Sequence, residues 1–546
     1  MKQQLWALML LLAGLVAPVC AFAEIPHLRE QGNATQLVVD GKPFLILGGE
    51  FGNSTTSSLE YLQPYWKTLE ALHLNTVLAP VSWELIEPAE GRFDFSLVDG
   101  LIRGARESDL RLVLLWFGSF KNSMSSYVPG WVKRDQQRFP RVRTADGTGH
   151  EILSAFSQNN QDADAAAFAA LMTHLRETDL KQNTVIMVQV ENEVGMLPVA
   201  REHGAEADRR FAAPVPRTLL SYLADNRSNL APGLRTLWES HGARTDGDWA
   251  DVFGDGAAAE EVFTAWHYAR YVDTVARAGK TAYRLPMFVN AAQNRPGRTP
   301  GEYPSGGPLP HLLDVWKAGA PTIDFMSPDI YFPNFREIVG GYVRPGNPLF
   351  IPEANRAGRV ESGAEAFFAI GAHDAIGFSP FSIENIPESG MPRLANAYDV
   401  LHQLAPIILE NQGTGRMLGF TPPVAYDGSV ASAPETITLG DYRFEVAYID
   451  PWTPEEDQAI SAHGGLVIQA GPEKYYFAGS GLTITASPAN SADGKAGIES
   501  AWEGRMEKGK WTRGRLMNGD QTHQGRHVRL EPDRFSIQKV TYYRYD

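Results

Sequence analysis

Short apolar runs of strand length recur along the chain at Phe44–Leu47, Asn75–Pro80, Leu112–Trp116, Val185–Val190, Pro286–Asn290, Ile323–Ser327, Leu349–Pro352 and Ile376–Phe381, mostly bounded by Gly, Pro, Asn or Asp. Between them lie longer stretches with helical periodicity, Ser58–Leu72, Ser96–Glu107, Asp164–Leu180, Ala258–Gly279 and Arg393–Leu409; in the last, Leu394, Tyr398, Leu401, Ala405 and Ile408 share one face. Strands that alternate with helices pair in parallel through right-handed crossovers, and Val185-Ile186-Met187-Val188 is the continuous apolar run expected of a strand buried on both faces. The pattern predicts an α/β fold, a (β/α)8 TIM barrel, with a doubly wound open sheet as the competing arrangement.

From about Gly413 the pattern changes to Gly-punctuated strand candidates, Thr436–Ile449, Gly465–Ala470, Tyr475–Ala486 and Phe535–Tyr545, with no amphipathic helix between them. This predicts a separate antiparallel, β-sandwich-like domain and a plan of residues 1–23, 24–412 and 413–546. The last unit reads first as a brace on the barrel, with Trp502 and Trp511 either in its core or on a sugar-binding face.

Residues 1–23 read as an export signal: Lys2, an apolar run from Leu5 to Val16, then Ala21-Phe22-Ala23 before Glu24. The run is too short for a membrane span. Cys20, in Ala17-Pro18-Val19-Cys20, lacks the neighbours of a lipoprotein signal and is the chain's only cysteine. Cleavage leaves no thiol or disulfide and a charge of 48 − 64 = −16, which fits a bacterial periplasm or exterior. With 43% hydrophobic, 21% charged and 10% aromatic residues the chain is a folded protein, and its acidity argues against a nucleic-acid partner.

A TIM barrel builds its active site at the C-terminal ends of its strands. The fourth predicted strand ends Val188-Gln189-Val190-Glu191-Asn192-Glu193 and the seventh ends Ile351-Pro352-Glu353-Ala354-Asn355. These strands face one another, so Glu193 and Glu353 are expected to flank one substrate with carboxyls about 5 Å apart, the spacing of retaining glycosidases. Glu193 is assigned as general acid/base and Glu353 as nucleophile, Asn192 as donor to a sugar 2-hydroxyl, and Tyr331 as the hydroxyl that holds Glu353. Taken singly, a strand-end Glu is more often a solvated or ion-paired surface group; the joint placement carries the assignment.

These residues resemble glycoside hydrolase family 35, the β-galactosidases, over about residues 25–410. The resemblance rests on Leu74-Asn75-Thr76-Val77 through Trp83-Glu84-Leu85-Ile86-Glu87-Pro88-Ala89-Glu90-Gly91-Arg92-Phe93-Asp94-Phe95, and on Glu191-Asn192-Glu193-Val194-Gly195. Pro80 stands where the family commonly has tyrosine, Leu47-Gly48-Gly49-Glu50-Phe51 differs from its usual first-strand motif, and Met124 stands where a sugar-binding glutamate is usual, while Asn122 retains a sugar-binding asparagine. The chain looks like a divergent bacterial branch with an added C-terminal domain. What the resemblance implies is a retaining, exo-acting β-galactosidase on plant-derived oligosaccharides, with galactosylated xyloglucan side chains as the source. Trp83 and Trp116 are candidates to stack on sugar faces, and Glu50 and Glu384 to bind hydroxyls; each reads equally as barrel-mouth packing or a supporting carboxylate.

No phosphate-binding loop, His-Glu-x-x-His pair or Gly-x-Ser-x-Gly elbow occurs; Gly254-Asp255-Gly256 follows no strand, and His267 reads as structural. No metal and no cofactor is expected. The partner is an oligosaccharide, with neither nucleic acid nor a membrane span, and a homodimer is the assembly considered. The competing readings are the same chemistry on a β-glucoside, β-glucuronide or α-L-arabinopyranoside, and a non-catalytic carbohydrate-binding barrel.

Overall fold

The computed structural model describes residues 24–490, 494–517 and 519–546; the expected export signal and Cys20 lie outside them. Eight parallel strands close into a barrel: β1 (Ile46–Glu50), β2 (Thr76–Ser82), β3 (Arg111–Lys121), β4 (Val185–Asn192), β5 (Met287–Ala292), β6 (Phe325–Ile330), β7 (Ile351–Arg356) and β8 (Gly377–Phe381). Each runs further toward its C-terminal end, or starts later, than the apolar run that predicts it. Those ends carry Glu50, Ser82, Lys121, Asn192, Asp329 and Glu353, polar residues that hydrophobic patterning omits.

The helices that concern the site are α1 (Gln158–Asp179), α2 (Ala257–Ala282), α3 (Phe335–Tyr342), α4 (Ser362–His373) and α5 (Met391–Asn411). Helix α1 starts where the Ser157 side chain accepts the Asn160 backbone N–H. The single helix predicted over Ser58–Leu72 is instead two short helices, Leu59–Leu62 and Trp66–Ala71, joined by a 3-10 turn that carries Pro64. Proline has no N–H to continue the ladder.

A three-stranded antiparallel sheet, His27–Gln31, Ala34–Val39 and Lys42–Phe44, precedes β1 and was not among the predicted elements. It closes the N-terminal end of the barrel: Leu37 and Val39 share one apolar cluster with Ile46, Leu78, Val113, Phe288, Phe325 and Phe350 from the first halves of the strands or just before them.

Beyond α5 the chain forms β9 (Met417–Phe420), β10 (Glu435–Leu439), β11 (Tyr442–Ala447), β12 (Gly464–Gly471), β13 (Lys474–Ser480), β14 (Leu482–Pro488), β15 (Lys495–Glu507), β16 (Lys510–Leu516), β17 (Val528–Leu530) and β18 (Ser536–Tyr545). Two of the predicted long strands are each a pair, divided at Gly440 and Gly481, which take φ of +61° and +70° to turn the chain. A six-stranded sheet, in order β9-β12-β13-β18-β15-β16, and a four-stranded sheet, β10-β11-β14-β17, enclose Tyr442, Phe444, Val467, Tyr475, Phe477 and Tyr542. The opposite face of the larger sheet presents Leu466, Ile468, Tyr476 and Ala478 to the core that also contains the barrel helices. Burial on both faces is why these strands read as unbroken apolar runs. Trp511 packs on Tyr476 with ring centres 5.5 Å apart, and Arg513 covers Trp502 at 4.9 Å.

Candidate active site

The C-terminal mouth of the barrel gathers four buried carboxyls around one buried ammonium: Glu50 ends β1, Glu193 follows β4, Asp329 lies near the end of β6, Glu353 lies on β7, and Lys121 ends β3. Burial requires that each find a partner or give up its charge. The Lys121 Nζ donates to Asn192 Oδ1 at 2.7 Å and lies 4.7 Å from the centre of the Phe117 ring. That contact orients the Asn192 amide, leaving its Nδ2 without a protein partner.

Glu193 is held from two sides. Its backbone N–H donates to Asn290 Oδ1 at 2.9 Å, and Asn290 Nδ2 donates to Asp329 Oδ2 at 2.6 Å, a chain that spans β4, β5 and β6. Its Oε2 accepts from Asn122 Nδ2, at the turn after β3. The backbone at the mouth takes left-handed φ at Asn122 (51°), Glu191 (62°), Glu193 (45°) and Asn355 (50°), a conformation costly outside glycine and common at functional sites.

The Tyr331 hydroxyl donates to Glu353 Oε1, and the Glu50 carboxyl hydrogen-bonds the same Glu353 side chain. Burial first, then the charge of Glu193, pushes Glu353 up to about 7. Burial also raises Glu193, opposed by the Lys121 charge and by hydrogen bonds from Asp329 and Asn122. Glu50 and Asp329 are held well above the ordinary carboxylate range, by burial and then by the charge of Glu353. The mouth is thus an acid cluster in which burial and like charge oppose ionisation of the carboxyls and the Lys121 ammonium favours it.

The structure brings together Glu193, Glu353, Asn192, Asn122, Tyr331 and Glu50 among the residues singled out from sequence. It turns two others away from the mouth and ties a third into the loops around it. Trp83 is fully buried, donates from Nε1 to Glu87 Oε2 at 2.8 Å and packs edge-on against Trp131, so it has no face for a sugar. Trp116 is likewise buried behind β3, donating to Asp164 Oδ1 at 2.9 Å and packing on Phe168 of α1. The two tryptophans end apolar runs as barrel-mouth residues do, but their side chains face the helices. Glu384 accepts from the Gly52 N–H at 3.0 Å and the Thr55 hydroxyl at 2.5 Å, which ties the turn after β8 to the loop after β1.

Lys121, Asn290 and Asp329 were not picked out from sequence. Lys121 and Asp329 follow apolar runs among other polar residues and Asn290 ends one, and only the closed barrel makes the three neighbours. Among the described residues no group of three or more His, Cys, Asp or Glu side chains is placed to hold a metal ion. Nor is any helix among them long and apolar enough to cross a membrane. His267 packs among Phe156, Phe263 and Trp249.

The fold is a closed (β/α)8 barrel with buried carboxyls just after β4 and on β7. Residues 36–233 match the model of the glycosyl hydrolases of family 35. Glu193 lies inside the matched stretch and Glu353 beyond it. Residues 394–529 match a domain of unknown function, DUF5597. A β-galactosidase of Xanthomonas manihotis is 32% identical over 220 residues, 38% of this chain and 33% of that protein. Among solved structures, a cold-adapted β-galactosidase from Rahnella sp. R3 aligns at a TM-score of 0.44 and 16% identity, covering 67% of this chain and 57% of the other. A β-galactosidase from the psychrophilic Marinomonas ef1 aligns at 0.42 and 12%, covering 67% and 60%. The chain thus spans about a third of the curated relative and under two thirds of these structures.

Proposed function

We propose that the protein is a retaining, exo-acting β-galactosidase. The observation that carries the reading is the buried pair after β4 and on β7, Glu193 positioned by Asn122 and Asn290, and Glu353 held by Tyr331 and Glu50. The family 35 match and the β-galactosidase relative support it.

In this mechanism the Glu353 carboxylate attacks the anomeric carbon as Glu193 gives its proton to the departing glycosidic oxygen. The C–O bond to the aglycone breaks, the alcohol leaves neutral, and a galactosyl ester of Glu353 remains. Glu193, now ionised, takes a proton from water, which attacks the same carbon and frees Glu353. Tyr331 keeps Glu353 in line, and Asn192 Nδ2 donates to the 2-hydroxyl oxygen as charge develops on the ring.

Terminal galactosyl groups of plant-derived oligosaccharides, xyloglucan side chains among them, are the proposed substrates, met in the periplasm or outside the cell after removal of residues 1–23. The altered glycone positions, Pro80 and Met124, make a panel of aryl β-galactoside, β-glucoside, β-glucuronide and α-L-arabinopyranoside the proper assay. Replacing Glu353 with Gln is expected to lower turnover of the preferred substrate by ~10⁴-fold or more. Near-normal activity in that variant rejects the assignment, and failure of a 2-fluoro-galactoside to label Glu353 in the wild-type chain favours a non-catalytic sugar-binding barrel.

A further inference from the structure

With Trp83 and Trp116 in the core, the mouth needs another surface for the sugar that leaves, and the structure offers one from an unexpected part of the chain. Between β9 and β10 the backbone forms a tight hairpin: Val424 bridges Val430, the Ala425 N–H donates to Ser429 O at 2.9 Å, and Asp427 Oδ1 accepts the Ser429 N–H at 2.9 Å. Tyr426 sits at its turn, 37% exposed, with its ring centre 5.2 Å from that of Phe332. Phe332 directly follows Tyr331, which is itself 40% exposed while its hydroxyl holds Glu353.

The hairpin is fixed at both ends by one barrel residue. Arg336 on α3 donates from Nη1 to Thr421 O at 2.7 Å, just before the hairpin, and pairs with Glu435, just after it, at 3.2 Å. Glu435 also accepts from the Tyr448 hydroxyl. The base of the hairpin, Pro422 and Val424, lines one small cleft with Asn355, two residues past Glu353 on β7. The turn is therefore held at the rim of the site by charge and packing.

We infer that Tyr426, with Phe332 and Tyr331, forms an aglycone subsite for a pyranose, so that the C-terminal domain takes part in choosing the substrate. A pyranose ring has a face of C–H bonds, and partly exposed aromatic rings held rigidly beside the leaving-group side receive that face at little entropic cost. Binding energy realised there, away from the reacting carbon, favours galactosides with a sugar leaving group over those with a small alkyl group. The inference rests on the β-galactosidase reading and deepens it.

The test compares kcat/KM for lactose with that for methyl β-galactoside in the wild-type chain, Tyr426→Ala and Tyr426→Phe. The lactose-to-methyl ratio is expected to fall about three- to tenfold in Tyr426→Ala and to remain near the wild-type value in Tyr426→Phe. Tyr426 is at an exposed turn, and matched unfolding curves of the variants establish that the fold is kept. An unchanged ratio in Tyr426→Ala overturns the subsite while leaving the β-galactosidase reading standing; a wild-type chain that cleaves neither substrate overturns both.

Discussion

Lys121 determines how much negative charge the barrel mouth tolerates. Its ammonium favours the ionised forms of Glu193, Glu353 and Glu50, and through Asn192 it also sets the direction of an amide proposed to meet the substrate. The about-7 value of Glu353 includes repulsion from an ionised Glu193, so it marks the second proton to leave the pair, the one available to a leaving group whichever oxygen carries it. The pH profile of kcat/KM is therefore expected to fall as pH rises through about 7. Lys121→Met removes the opposing charge, so both limbs of the profile should move to higher pH, with a loss of about 10–100-fold in kcat/KM. A loss of rate with an unmoved profile would show that Lys121 acts by packing alone. None of this was legible in the sequence: Lys121 reads as one cation in a polar loop, whereas Glu193 and Glu353 stand out because each follows an apolar run toward the C-terminal end of its strand.

At the scale of elements, the barrel strands were legible because burial on both faces makes them uniformly apolar, as in Val185-Ile186-Met187-Val188. Their polar ends were not, and the direction of a side chain at a strand end, toward the mouth or toward a helix, depends on a register that no single run encodes; Trp116 and Glu50 fell on opposite sides of that choice. The end of β7 shows how a helix supports the site. Asn355 donates to Glu365 of α4 at 2.8 Å, and burial first, then the charge of Glu361, pushes the Glu365 carboxyl up to about 8. An unfolded glutamate titrates near ~4.3. The folded state thus keeps a proton that the unfolded chain has lost, and the stability this confers is complete at low pH and drains away as pH rises from ~4.3 through about 8. Glu365→Gln mimics the neutral form and should match the wild type near pH ~4, then exceed it in denaturation at pH ~9 by on the order of 1 kcal/mol or more. Equal stability of the two chains at both pH values would mean that Glu365 is already ionised in the fold.

For the whole molecule, the two folded parts share a core. Phe535, just before β18, stacks on Phe367 of α4 with ring centres 5.1 Å apart, under the Arg393 guanidinium of α5, which donates to the carbonyls of Pro532 at 3.1 Å and Ala462 at 2.8 Å. Phe535→Ala is expected to cost about 3–5 kcal/mol and to lower a single unfolding transition in which barrel and β domain melt together. Two separated transitions, with the barrel's unmoved, would contradict the shared core. The sequence revealed a change of grammar near Gly413, but not this docking, because residues that pair across it are far apart in the chain and each face alone looks like an ordinary interior.

The small sheet that closes the bottom of the barrel has a topographic consequence. Glu24 begins the described chain there, its carbonyl receiving the Asn183 amide at 2.9 Å just before β4. Anything joined ahead of residue 24, whether a leader awaiting cleavage, an anchor or a fused partner, departs from the pole opposite the carboxyl cluster. A chain held by that end would keep the carboxyl cluster directed away from the point of attachment.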